Sequence, residues 1–372
     1  MNIFFFSGSG TEALKLNIDM RFLSTLKQEI KELFPAYFAL VMATGIISIG
    51  AHLLGFAAIS NVLFWANNVA YGTLIIILLI RFLFFTGNFV SDLTSFTKGA
   101  GFFTLVAATC ILGTQYAQLK HKYAIAEMLF WFGVGVWILL MYAFLAVITT
   151  QSEKATLGKE INGLWLLMVV STQSIAVLGT TLAKHLPFTP EQVMFFTLSA
   201  FLLGTMLYSI LITIIFYRLI FLLLEAKDFK ASYWINLGAG AITTLAGATL
   251  MQHLPNAGNL ISFIPFVQGI SLLTWIVATW WMPLIIILEI WKYLIKKTPL
   301  AYTPQLWSTV FCLGMYTVAS LKISQSLKMP FMQSIPEVFI FISMGVWALV
   351  FLGMLISIIK AFTSVIPERA ID

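Results

Sequence analysis

Four histidines, His52, His121, His185 and His253, carry the chain's most versatile side chains, and each stands at the end of a long apolar stretch. Lys322 ends a fifth stretch at a comparable height, and Lys120 and Lys184 lie beside two of the histidines. Imidazole and ammonium groups gathered on one side attract anions, whereas imidazoles alone can ligate a transition metal. No Asp or Glu shares those ends, so His52, His121, His185, His253 and Lys322 read as an outer basic mouth. The competing reading is a polytopic membrane enzyme or sensor with a metal site at the outer histidines. Motifs of membrane enzymes are missing: there is no Asp-rich pair for magnesium-diphosphate chemistry, no His-Glu zinc helix and no His-x-x-Asp acyl-transfer motif. No catalytic residue, cofactor or resident metal is therefore expected, and the chain is not expected to be an enzyme.

The elements that hold these residues are set by composition. Of 372 residues, 60% are hydrophobic and only 10% charged, with a mean hydropathy of +0.95. A soluble domain carries about a quarter charged residues, so this chain cannot cover a water-facing surface. Lipid must solvate it. The net charge of +6 is then no sign of nucleic-acid binding, since basic residues of membrane proteins collect on their cytoplasmic side. Cys110 and Cys312 both lie in apolar runs, which argues against a disulfide framework or a zinc site.

A membrane helix needs roughly 20 predominantly apolar residues. Ten stretches qualify, near 34–56, 60–84, 99–119, 124–149, 161–183, 191–224, 231–253, 259–294, 302–325 and 334–362. The eighth contains Pro265 and Pro283 and is expected to tilt or kink. Glu127, Glu191 and Glu337 open the fourth, sixth and tenth stretches, where a carboxylate complements the helix dipole. The chain divides into an N-terminal arm (1–33), a ten-helix transport domain (34–362) and a short tail (363–372). The apolar run Ile3–Phe6 is too short for a signal-peptide core, so no cleaved leader is expected. With ten spans both termini share a side, and only Lys120, Lys122, Lys184, Lys322 and Lys328 fall opposite, leaving 16 of the 21 basic residues with the termini. The positive-inside rule then places both termini in the cytoplasm of a cell membrane.

A repeat runs through the odd stretches. Phe38, Phe103, Trp165, Trp234 and Trp307 are each followed after four residues by Met42, Ala107, Val169, Gly238 and Phe311, and after seven by Gly45, Cys110, Thr172, Ala241 and Gly314. Offsets of four and seven share a helical face. The pattern predicts an all-α polytopic membrane protein of five helical hairpins in a ring, with odd helices inside, lining a central pore, and even helices outside. These face residues are the expected pore lining. No odd stretch carries Asp, Glu, Lys or Arg in its centre, which favours a passive or weakly coupled path over an ion-coupled pump. Only the ninth stretch puts an aromatic at the fourth offset. Phe311 is either a hydrophobic gate of the kind that closes by dewetting or a packing residue between helices, and the pattern leaves both open.

Two segments carry a resemblance: Phe34-Pro-Ala-Tyr-Phe-Ala-Leu-Val-Met-Ala-Thr-Gly45 and Trp307-Ser-Thr-Val-Phe-Cys-Leu-Gly-Met-Tyr316. They resemble the tellurite-resistance/C4-dicarboxylate transporter family, which includes plant slow-type anion channels, yeast malate permease and fungal sulfite efflux pumps. The resemblance implies a five-hairpin ring assembled as a homotrimer, one pore per subunit, and anion transport through it. It also implies a phenylalanine gate in the ninth helix, which falls on Phe311, although the family's following proline is here Cys312. The expected partners are small inorganic or organic anions and the lipid bilayer. Without an arginine on the pore face the chain offers no bidentate carboxylate clamp, which favours weak multi-site passage over tight dicarboxylate binding.

Overall fold

The computed structural model describes residues 23–154 and 156–363, so most of the N-terminal arm and nearly all of the tail lie outside the described residues. Ten helices are long and apolar enough to cross a membrane: α1 (Pro35–Leu53), α2 (Ala57–Phe84), α3 (Gly99–Lys120), α4 (Tyr123–Thr150), α5 (Gly163–Thr181), α6 (Pro190–Phe221), α7 (Ala231–Asn256), α8 (Gly258–Ile295), α9 (Leu306–Ser326) and α10 (Pro330–Thr363). At 1.5 Å per residue the shortest spans about 28 Å, close to the hydrocarbon thickness of a bilayer. The chain is a multi-pass membrane protein.

Burial separates the helices into two sets. The apolar windows of the odd helices are 78–100% buried, those of the even helices 17–39%. The odd helices have many small and hydroxyl residues and modest hydropathy because protein surrounds them. Even helices are longer and richer in Leu, Ile and Phe because lipid does. The odd helices pack in a closed circuit, α1 on α3, α3 on α5, α5 on α7, α7 on α9, and α9 back on α1. Each even helix lies against the odd helix before it and, more lightly, against the one after.

At least one polar bond per hairpin fastens that second contact. Tyr71 of α2 meets the Thr109 hydroxyl of α3 at 2.9 Å, and Trp137 of α4 donates to Thr172 of α5 at 2.9 Å. Tyr208 of α6 donates to the Asn236 carbonyl of α7 at 3.1 Å, and Trp275 of α8 to Ser320 of α9 at 2.9 Å. The fifth, Trp347 of α10 to Thr44 of α1 at 3.0 Å, closes the series.

The details refine several expectations. Pro265 sits in the first α-helical turn of α8, where its missing N–H has no partner to lose; Pro283 is the interior one. Thr189 and Gln192 form a reciprocal capping box at the start of α6, with Glu191 in its first turn, and Glu337 lies in the first α-helical turn of α10, after the 3₁₀ turn Pro330–Gln333. Glu127 lies beyond the first turn of α4, which starts at Tyr123. Helix α9 runs unbroken through Phe311 and Cys312.

Candidate functional site

On the side away from the described chain ends, the five odd helices enclose a cavity of about 510 Å³. All five residues of the expected basic mouth line it, one from each inner helix or the turn that follows, and Lys184 joins them. Lys120 does not. Its ammonium turns outward to the Asn61 side-chain oxygen at 2.5 Å and lies over the Phe64 ring.

Each mouth residue is placed by local structure. His121 ends α3 with a left-handed backbone (φ 51°), a conformation histidine tolerates better than bulky residues, while the Lys122 N–H returns to the Tyr116 carbonyl at 3.0 Å. Tyr123 then stacks on His185, ring centroids 3.6 Å apart, with its hydroxyl 3.4 Å from His121 Nδ1. His253 Nδ1 donates to the Thr249 carbonyl at 2.9 Å, which leaves Nε2 for the cavity. No acidic side chain lines the cavity, and the ion pairs among the described residues, Arg81–Asp92, Lys98–Asp92 and Lys227–Glu225, lie elsewhere. Among those residues no three of His, Cys, Asp and Glu come close enough to hold a metal ion.

Deeper, the walls are aliphatic. Ile46, Cys110, Ser174, Ile242 and Met315 form the lowest lining residue of each inner helix. One turn further toward the chain ends, three or four residues earlier on the same helical faces, stand Met42, Ala107, Val170, Gly238 and Phe311. All are buried, and Phe311 is 1% exposed. None borders the cavity. In α5 the residue four before Ser174 is Val170, and Val169, the expected position, is its neighbour in the chain.

Of the expected pore-lining positions, only Cys110 borders the cavity. The aromatics at the first offset face the outer helices. Phe38 meets Tyr71 of α2, and Phe103 and Trp165 both meet Phe144 of α4. Trp234 donates to Glu289 of α8 at 3.3 Å, and Trp307 meets Trp347 of α10. The small residues at the last offset make room for neighbours. A Cβ on Gly45 would stand 2.5 Å from Ile111 and 2.9 Å from the Asn67 amide, and one on Gly314 would stand 2.9 Å from Ile46. Thr172 accepts the Trp137 bond, and Ala241 is fully buried off the lining. A Cβ on Gly238 would come 2.3 Å from Cys312 Sγ. That contact docks α7 on α9 beside Phe311, where the family pattern would have a proline.

The lining residues that the repeat did not mark have a simple signature. Stepping back from Lys322 by fours and threes gives Val318, Met315 and Phe311; from His52 it gives Ile49, Ile46 and Met42. The charged end of each helix was therefore the better guide to its inward face.

Residues 32–355 match the sequence model of the voltage-dependent anion channel family. An uncharacterized membrane protein of Mycobacterium tuberculosis is 35% identical over 138 residues, 37% of this chain and 70% of its own. Two uncharacterized transporters of Methanocaldococcus jannaschii are similar over nearly the whole length. One is 24% identical across 90% of this chain and 94% of its own, the other 22% identical across 91% and 97%.

Proposed function

The chain belongs to the voltage-dependent anion channel family, and from that premise we propose that it passes small anions along the axis of its inner helices through a path closed at Phe311. Anion transport is the function this family membership supports. The single observation that supports the finer reading is the register of Phe311: it is 1% exposed and stands one turn before Met315, the lowest α9 residue in the wall of a basic, acid-free cavity. A phenyl ring there excludes water from a passage with no polar group to replace it, and an anion cannot cross a dry constriction without losing its hydration.

The same reading takes residues 34–362 as the transport domain and both termini as cytoplasmic in a cell membrane, as the distribution of Lys and Arg favours. It takes the assembly as a homotrimer, as the resemblance implies. Passage is channel-like, with Lys322 and the four histidines concentrating anions outside the gate. A metal-dependent role for those histidines draws no support from their arrangement around the cavity. The direct test is anion efflux from proteoliposomes containing the wild type or Phe311→Ala. The reading requires a low rate for the first and a much higher one for the second; equal rates would remove Phe311 from the path.

A further inference from the structure

Lys322 differs from the rest of the mouth. It stands about 10 Å above Met315, seven residues along α9, part-way down the cavity and below the exposed rim formed by Lys184 and His185. Among the described residues its ammonium has no charged or hydrogen-bonding partner, and the cavity offers no carboxylate. A half-buried cation without a counter-ion is costly. An anion entering the cavity would supply the missing partner.

The surroundings define what kind of anion. Four hydroxyls line the cavity at or below this height, and each gives its proton to its own helix. Thr114 bonds the Cys110 carbonyl, Ser174 that of Val170, Thr181 that of Val177, and Thr249 that of Leu245, all within 2.8–2.9 Å. They can accept but have no proton left for an anion. Between Lys322 and the floor the remaining wall is aliphatic, with Ile46, Ile242, Leu245, Met315 and Val318 among its residues. Lys322 is the cation that stands over this aliphatic lower wall, with Lys184 and the histidines nearer the rim, and that pairing is a site for a head and a tail.

We infer that the cavity binds short-chain aliphatic monocarboxylates, with the carboxylate on Lys322 and the alkyl chain directed toward Met315. This rests on reading the cavity as part of the anion path and names the class of anion it selects. A dicarboxylate held on Lys322 would have to turn its second charge back toward the histidines and Lys184 of the rim, leaving the aliphatic wall unfilled. A bare inorganic ion would gain the charge contact and nothing from the wall.

The test uses the full chain in detergent. Its thermal unfolding is followed while sodium chloride, acetate, propionate, butyrate and succinate are titrated at constant ionic strength, since ligand binding raises the midpoint. The concentration giving a half-maximal shift should fall roughly threefold for each added methylene, and butyrate should act at least about tenfold below succinate and chloride. Lys322→Gln should abolish the series and Lys322→Arg should keep it. Val318→Thr, which puts a hydroxyl in the well and leaves the cation in place, should flatten the dependence on chain length. Equal effects of chloride and butyrate would overturn the assignment, as would a gradient that survives Lys322→Gln or is unaltered by Val318→Thr. Chloride flux through the Phe311→Ala protein reports on the path alone, so a flat series beside intact flux removes the monocarboxylate site and leaves the path standing.

Discussion

The indole of Trp347 donates to the hydroxyl of Thr44 at 3.0 Å across 303 residues of sequence, and so joins the last spanning helix to the first. The four related bonds link helices of hairpins consecutive in the chain; this one joins the two ends of the series. Thr44 is 2% exposed, so Thr44→Val leaves a donor unpaired in an apolar setting, at a cost of about 1–3 kcal/mol. Trp347→Phe removes donor and partner contact together. The double variant should cost less than the sum of the two single ones, read from unfolding of the purified protein. Strict additivity would mean that the bond contributes nothing to closure.

Phe311→Ala should raise basal anion conductance strongly while the protein stays folded, because the ring is the one aromatic in a layer otherwise made of Met42, Ala107, Val170 and Gly238. Ala107→Phe should lower whatever flux remains. A packing role leads elsewhere: truncation would leave a cavity costing roughly 3–5 kcal/mol and open nothing. Melting temperature and conductance measured on one preparation separate the two, and a destabilised, still closed variant would end the gate assignment.

Gly238 and Cys312 should be coupled. A methyl on Gly238 would collide with the Cys312 sulfur at 2.3 Å, whereas the next contact, the Cys312 Cβ, lies at 3.3 Å. Gly238→Ala alone should therefore destabilise by about 1–3 kcal/mol through overpacking, and adding Cys312→Ala should recover most of it. The check is a double-mutant cycle on thermal stability. No recovery would place the strain outside the α7–α9 contact.

Replacing His52, His253 and Lys322 together with neutral residues should reduce anion flux more at low salt than at high salt. Fixed charges at a water-filled mouth are screened within about 10 Å at 0.1 M salt, so the wild-type advantage should shrink as salt rises. Flux that ignores the substitutions at every ionic strength would show that these side chains do not concentrate anions.

Composition and apolar run length made the ten helices legible, and the mouth residues could be found because charge is rare in this chain. The division into inner and outer helices was also readable, from small residues confined to odd stretches. The inward face was not. Phe38, Phe103, Trp165, Trp234 and Trp307 repeat because each inner helix must grip an outer one, and Gly45 and Gly314 repeat because inner helices approach closely. A strong repeat in a ring of helices reports packing, since packing recurs five times, whereas a lining needs only to be unobstructed. In α5 the aromatic falls one residue before the end of the 3₁₀ turn Gly163–Leu166, so a count of four from Trp165 reaches Val169, whereas a count of four back from Ser174 reaches Val170. Phe38 and Trp234 instead end their 3₁₀ turns, so four residues on from them lie Met42 and Gly238.

The hydroxyls of Thr114, Ser174, Thr181 and Thr249, each turned back on its own helix, have a consequence for passage along the proposed path. A wall whose protons are already given cannot stand in for the water that an ion leaves behind. Below Lys322 an anion on the proposed path must carry its own shell or travel without one. On that path an alkyl tail, which carries no shell, passes this wall more readily than the charged head that Lys322 holds.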